Sequence, residues 1–269
     1  MLLASKFANF YKFLRKLTAF TCLLIAKPPV IISVMSIIDK FLDIFFPFNY
    51  TCDLCGLEIF SGKNLCEDCE QTVEVNNGPT CSKCGRKTAA EGLCLECKAQ
   101  TPSFDRAFSA LVYSSGTRKL MLKFKNRDPY LKKYFAKMMA KKCKQITDAD
   151  AICFVPMLWH VEEERGYNQA QLLEKELSVL LKLPLCADAL KKVKKTKSQK
   201  TLNHEERLEN LKGSFKANAE IVAGKTLIVV DDVLTTGATA EAVCTELKKC
   251  GAKKVYFVTA ASVEYKAET

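Results

Sequence analysis

Several widespread signatures are missing from this 269-residue chain, and each absence narrows what it does. No GxxxxGK[ST] occurs, which excludes the phosphate loop of nucleoside triphosphatases. No GxGxxG opens a helix either, which excludes the usual dinucleotide fingerprint. Only two histidines are present. His160 follows Trp159 in a loop pattern and His204 stands at a helix start, and neither has a partner that suggests general-base work. The apolar run Leu17–Ala26 is half the roughly 20 residues a membrane-spanning helix needs. Neither a small-residue cleavage site nor a lipid-attachment box follows it. With 48% hydrophobic and 26% charged residues, the composition is that of a folded, soluble protein with one medium and one smaller domain.

Cysteine, by contrast, is abundant. Eight of the 14 cysteines fall between Cys52 and Cys97 in four CxxC pairs: Cys52/Cys55, Cys66/Cys69, Cys81/Cys84 and Cys94/Cys97. Two CxxC turns together offer one tetrahedral Zn²⁺ four thiolates. Gly56 and Gly85 directly follow the first pairs, where a knuckle needs positive φ. The segment reads as two consecutive zinc ribbons, too small to hold a core without metal. Disulfides, redox CxxC chemistry and cross-braced pairing (Cys52/Cys55 with Cys81/Cys84) are the alternatives; the spacing favours zinc and sequential pairing. Four thiolates close each site, so its role is structural or partner-binding. Cys143, Cys153, Cys186, Cys244 and Cys250 read as small core or surface residues, and Cys22 lies in the leader.

The expected boundaries are a leader, 1–34; an amphipathic helix, 35–50; a double zinc ribbon, 51–100; and an α/β domain, 101–269. Four basic residues and the short apolar run make 1–34 resemble a signal peptide, ended by Lys27-Pro28-Pro29. We expect translation from Met35, with the upstream segment an extension or disordered leader. An amphipathic membrane-surface anchor is the next alternative and export the last. Phe41, Phe45 and Phe46 form the face expected to dock the ribbons, with a membrane-facing role as the alternative. Eight thiols in metal spacing suit a reducing cytoplasm, the expected location. Residues 1–34 carry five positive charges and no acid, so the formal +11 falls to +6 from Met35 onward. Two zinc ions on eight thiolates bring it to about +2. Local charge says more. Arg118–Lys144 holds eleven Lys/Arg against Asp128 alone, and Lys182–Lys200 seven Lys against Asp188 alone.

From Thr101 onward strands and helices alternate. Strands are expected at Ala107–Tyr113, Ala151–Val155, Thr226–Val230 and Val255–Thr259, and helices at Thr117–Lys125, Tyr130–Lys144 and Asn168–Leu181. Leu131, Phe135, Met138 and Met139 mark the apolar face of the second helix. Such alternation predicts a mainly parallel sheet covered on both faces, with ligands at the carboxyl ends of its strands. The stretch Leu227–Thr239, LIVVDDVLTTGAT, carries the clearest chemistry. Four apolar residues make a buried strand that ends on Asp231 and Asp232. Carboxylates there can hold ribose hydroxyls, directly or through Mg²⁺. The turn Thr235-Thr236-Gly237-Ala238-Thr239 then opens a helix reaching about Cys250, and its N–H groups and hydroxyls suit a phosphate. An ordinary capped helix is the plain alternative, but two adjoining acids at a buried strand end are costly without a ligand. The stretch resembles the phosphoribosyl-pyrophosphate (PRPP) signature of type I phosphoribosyltransferases.

Three more clusters accompany it. Val155-Pro156-Met157 follows a buried strand, and Glu164-Arg165-Gly166-Tyr167-Asn168-Gln169 leads into a helix; Arg and amides there suit an anion such as pyrophosphate. Lys191–Thr201, with six Lys, Ser198 and Gln199, reads as a mobile loop able to close over the polyphosphate. Arg207 and Asn210 follow on a short helix. The order of cysteine knuckles, RGYNQ, Thr196/Gln199/Leu202, Arg207/Asn210 and the Asp231–Thr239 region resembles the ComF competence-protein family, from about Met35 to Ser262. Tyr113, Gly116, Arg118 and Lys123-Phe124-Lys125 match that family too. Leu158 departs from it where a second Pro is common. Lys192 and Lys194 replace Arg and lose its planar fork, and Tyr167 replaces Phe.

The resemblance implies a PRPP site and a link to uptake of single-stranded DNA, with no acceptor base identified. In a transferase of this family, Asp231 and Asp232 hold the ribose and Thr235–Thr239 the 5′-phosphate. Pro156, Met157, Arg165 and Lys194 stabilise the leaving pyrophosphate, with Mg²⁺ bound to PRPP. Lys123, Lys125, Lys132 and Lys133, interleaved with Phe124, Tyr130 and Tyr134, are a candidate single-strand DNA stripe; a solvated helix face is the competing explanation. Two function classes follow: a transferase acting in DNA uptake or nucleotide salvage, or a PRPP-regulated adaptor that binds DNA and other uptake proteins without turnover.

Overall fold

A computed structural model describes residues 51–59, 63–126, 128–194 and 204–265. The leader, the amphipathic segment with its three phenylalanines, and most of the lysine tract, with Thr196, Ser198, Gln199 and Leu202, lie outside the described residues. The chain divides into two compact units, 1–52 with 57–64, and 53–56 with 65–269. In the first, the Cys52 N–H donates to the Leu57 carbonyl at 2.7 Å and Thr51 bridges Glu58.

The second unit opens with two one-turn helices, α1 (Glu67–Gln71) and α2 (Leu95–Ala99). Cys66 and Cys94 are their N-caps, so Cys69 and Cys97 fall one turn on, on the same side. The α/β part follows: β1 (Arg106–Val112), α3 (Ser115–Asn126), α4 (Lys132–Cys143), β2 (Ala151–Phe154), α5 (Trp159–Arg165), α6 (Gln169–Leu181), β3 (Leu190–Lys192), α7 (His204–Leu211), β4 (Phe215–Ala217), α8 (Ala219–Val222), β5 (Thr226–Leu234), α9 (Ala238–Lys249) and β6 (Lys254–Ser262).

Four strands form a parallel sheet in the order β1-β6-β5-β2. Leu227, Val229, Val255 and Phe257 join one buried cluster with Val243 and Leu247 of α9 and Leu211 of α7. The alternate residues Ile228, Val230, Val258 and Ile152 are buried as well, because side chains alternate across a strand and α4 and α6 cover the other face. The buried stripe running from the N-cap Leu131 along α4 is Leu131, Phe135, Met139 and Cys143 at i, i+4 spacing, with Met138 at its margin. A single 3₁₀ turn, Pro129–Leu131, precedes α4, capped by the Asp128 carboxylate on the Tyr130 N–H.

Three expectations need correcting. The Trp159–His160 loop is the start of α5, so Glu164 and Arg165 end that helix, and Asn168 begins the next as its N-cap. Lys191 and Lys192, assigned to a mobile loop, lie in β3, which pairs antiparallel with β4. The strand that ends on the acids continues to Leu234, because pairing with β6 persists from Asp231↔Thr259 to Leu234↔Ser262.

Segment 72–77 closes the outer edge of the sheet. The Val112 N–H donates to Glu74 at 2.9 Å and the Asn76 N–H to Ala110 at 3.0 Å, with Val75 bridging Leu111. An edge strand left open would template pairing with another chain; here β1 is sealed by the ribbon's own linker.

Candidate functional site

The carboxyl end of β5 lies between those of β2 and β6. The Val155 N–H donates to the Val230 carbonyl at 2.9 Å, so half-buried Pro156 and Met157 leave the sheet beside the acid pair. Asp231 Oδ1 accepts the Asp232 N–H at 2.8 Å, and Asp232 Oδ1 the Val233 N–H at 2.6 Å. Burial, and then the charge of Asp232, push Asp231 up to about 8, against the pull of the Asp232 N–H, Lys125 and Lys192. Such a carboxyl is expensive to ionise, and perturbed groups of this kind cluster at functional sites.

The Thr235–Thr239 turn follows at once. Gly237 takes the left-handed conformation, φ +82°, and is the N-cap of α9 without any side-chain cap. A Cβ there would meet open space, so the backbone conformation is what requires glycine. Thr236 Oγ1 lies 3.5 Å from the Ala238 N–H. A twelve-residue helix thus begins without a cap from its N-cap residue, five residues after Asp232.

Lys125 was expected on a nucleic-acid stripe. Its Nζ lies instead 2.7 Å from Asp232 Oδ2, and its side chain is 31% exposed. Burial draws its pKa down, but Asp232 and Asp231 prevail and the net shift is upward. Sequence reasoning missed this pairing. The Tyr-Asn-Gln tract, expected to meet an anion, holds the backbone around it. The Tyr167 hydroxyl donates to the Phe124 carbonyl, Gln169 Nε2 to the Lys125 carbonyl at 3.1 Å, and Asn168 Nδ2 to the Val155 carbonyl at 3.2 Å. These three side chains clamp the end of α3 to the loop after β2.

The other stripe lysines are engaged too. Lys123 Nζ donates to the carbonyls of Asp53 and Leu54 at 2.7 and 3.0 Å, and Lys132 pairs with Glu176 at 3.0 Å. Lys133 is exposed. A phosphate backbone reaching Lys123, Lys125 or Lys132 would have to displace the partners they hold. Arg165 is exposed at the end of α5, and Lys194 is exposed two residues past β3; neither is brought to the acid pair. Lys192, by contrast, feels the charge of Asp231, although burial lowers its pKa overall. It stacks 5.4 Å from the Phe215 ring centre.

The cysteines gather as sequential pairing requires. The sulfurs of Cys52, Cys55, Cys66 and Cys69 lie within 4.8 Å of one another, and so do those of Cys81, Cys84, Cys94 and Cys97. The second set suits a thiolate-bound cation. Arg86 Nε lies 3.4 Å from Cys84 Sγ, and its guanidinium also pairs with Glu96. A hydrogen bond from Cys97, and then Arg86, draw the Cys84 thiol below its ordinary range even against burial. A cavity of about 60 Å³ separates Cys84, Arg86 and Cys97 from Thr236, Gly237 and Glu241. Beside it, Glu241 Oε2 accepts the Ser103 N–H at 2.8 Å. The second cluster therefore backs onto the turn that opens α9. Among the described residues no helix is long and apolar enough to cross a membrane.

Fold and site define a double zinc ribbon joined to a phosphoribosyltransferase-type sheet. Family models agree: a double zinc ribbon domain matches residues 41–98 and a phosphoribosyl transferase domain residues 165–268. Competence protein F of Haemophilus influenzae is 30% identical over 219 residues, 77% of this chain and 95% of that protein. The DNA utilization protein YhgH of Escherichia coli is 27% identical, over 76% and 93% respectively. Competence protein ComFC of Streptococcus pneumoniae is 27% identical, over 71% and 84%. The chain belongs to the ComF competence-protein family. Among solved structures, an adenine phosphoribosyltransferase from Thermoanaerobacter pseudethanolicus matches at 14% identity over 62% of this chain and 98% of that one, with a TM-score of 0.34, too low to bear on the argument.

Proposed function

We propose that this protein binds PRPP with Mg²⁺ at the carboxyl end of β5 and acts in the handling of DNA taken up by the cell. One observation carries the ligand: Asp231 and Asp232 end the buried run of an inner parallel strand, and five residues after Asp232 a left-handed glycine opens α9. A diol grip and an anion nest stand side by side, as a 5-phosphorylated ribose needs. The names of the relatives support the cellular role, since they concern competence and DNA utilization.

In this reading Asp231 and Asp232 accept the ribose hydroxyls, and the Thr235–Thr239 turn receives the 5′-phosphate. Pro156 and Met157, which leave the sheet beside the acid pair, face the pyrophosphate, with Lys192 within reach of the charge of Asp231. The carboxylate oxygens are hard donors suited to Mg²⁺, which would supply charge neutralisation for the leaving group. Departure of pyrophosphate leaves an oxocarbenium-like ribose, whose positive charge the two acids stabilise. The two four-sulfur clusters hold structural Zn²⁺ and leave no open coordination position.

Calorimetry of the zinc-loaded protein with PRPP and Mg²⁺ tests the site. Asp231→Asn and Asp232→Asn should each weaken binding at least tenfold, the equivalent of about 1.4 kcal/mol. No measurable affinity in the wild type would sink the reading. A pyrophosphate-release assay over a nucleobase panel then separates a transferase from a PRPP-regulated adaptor.

A further inference from the structure

Lys125 belongs neither to a surface stripe nor to the residues that the PRPP reading needs as it stands. Its ammonium sits 2.7 Å from Asp232 Oδ2, while the other oxygen of that carboxylate accepts the Val233 N–H. Both oxygens of Asp232 are therefore engaged. The lysine is held there deliberately: Tyr167 and Gln169 bind the carbonyls of Phe124 and Lys125 itself, and the Phe124 ring is fully buried against Phe135. Helix α3 thus delivers one cation to the acid pair from a fixed backbone.

The geometry points to Lys125 as a built-in counter-cation of Asp232: it occupies that carboxylate in place of a free divalent ion, so that metal enters the site only together with a polyphosphate ligand. This rests on the PRPP reading for the ligand, and on the ion pair alone for the exclusion of metal. Two adjoining carboxylates without Lys125 would form a site for a divalent ion by themselves. With it, the pair carries little net negative charge, and an incoming ion must displace an ammonium that is already partly desolvated. A ligand that brings phosphates can offer the ammonium a new partner and free Asp232 for a ribose hydroxyl or the metal. Lys125 is a positioning and selectivity residue of the pocket.

Two titrations on the full, zinc-loaded chain test this. Mn²⁺ alone, followed by its free-ion electron paramagnetic resonance signal, should bind wild type weakly and Lys125→Met at least tenfold more tightly. That gain should vanish in Lys125→Met/Asp232→Asn. Unchanged Mn²⁺ affinity in Lys125→Met, or a gain that survives Asp232→Asn, overturns the proposal. Calorimetry with PRPP and Mg²⁺ should show Lys125→Met roughly tenfold weaker than wild type, with Lys125→Arg largely restored; PRPP binding by Lys125→Met equal to wild type also overturns it. Lys125→Gln, with thermal melts of all variants, replaces Lys125→Met if the latter does not fold. If wild type binds no PRPP, the proposed function fails, and the Mn²⁺ arm still decides whether Lys125 guards the acids.

Discussion

The two cysteine knuckles share a spacing and a glycine, yet they stand in different surroundings. Gly56 and Gly85 follow their CxxC pairs with φ of +79° and +68°. A Cβ on Gly56 would meet nothing within 4 Å, whereas one on Gly85 would lie 2.4 Å from the Ala107 carbonyl oxygen on β1. The thiols differ in the same sense. Cys55 is exposed and Cys69 half-buried, while Cys81, Cys84, Cys94 and Cys97 are all buried. Around the second knuckle, Asn76 Nδ2 donates to the Gly85 carbonyl at 2.9 Å and the Ala107 N–H to the Lys83 carbonyl at 2.8 Å. The Arg86 guanidinium lies over the Tyr265 ring, past β6. One motif thus serves two purposes: the second cluster is part of the transferase sheet's edge, while the first remains open to solvent at Cys55.

Loss of a metal ligand should break the comparison most visibly. Structural zinc in small domains contributes folding free energy on the order of 10 kcal/mol. Cys97→Ser should therefore abolish cooperative melting of the whole α/β part, or lower its Tm by more than about 15 °C. Cys69→Ser should cost that transition less than about 5 °C. Melts paired with zinc analysis check this, and equal losses would refute the asymmetry. The glycines come next. Gly85→Ala combines a left-handed alanine, about 1–2 kcal/mol, with a clash against fixed backbone, about 1–3 kcal/mol. It should lower stability by about 2–5 kcal/mol, against about 1–2 kcal/mol for Gly56→Ala. Denaturant midpoints of the two variants measure the difference directly.

Much of this arrangement was legible in the sequence, for identifiable reasons. The buried strands and long helices carry strong periodic patterns, and the CxxC pairs lie close together in the chain. Asp231, Asp232 and Gly237 could be read because one strand and one turn supply them all. What escaped notice depends on distant partners. Lys125 meets Asp232 across the fold, and nothing around LKFKN distinguishes it from its neighbouring lysines. Tyr167, Asn168 and Gln169 look like ligand groups locally, but their partners are carbonyls of α3 and of the loop after β2. The β3–β4 pair is three residues long on each side and begins inside a lysine-rich tract, where composition argues for a loop. The difference between Gly56 and Gly85 is likewise invisible locally, since only packing against Ala107 separates them.

The smallest effect sharpens the comparison through a carboxyl that belongs to neither ribbon. Glu174, on α6, is 1% exposed, and its Oε1 has no hydrogen-bond partner. Burial, opposed only by Lys175, raises it from 4.5 to about 7. The sign follows from linkage. Below pH 4.5 the group is neutral whether folded or unfolded and costs nothing. Between about 4.5 and 7 the unfolded chain ionises first, so folding stability declines as pH rises, and above 7 the penalty is constant. Glu174→Gln should flatten that part of the profile and stabilise the protein at pH 8 by about 1–2 kcal/mol. If the second cluster unfolds with the sheet, its zinc release must carry the same Glu174-dependent slope, while release from the first must not. Chelator-driven zinc release from wild type and Glu174→Gln, with Cys69→Ser isolating the second site, reads both. A second-site release rate indifferent to Glu174 would mean that this ribbon opens without the sheet, and the seam along β1 would be weaker than its contacts indicate.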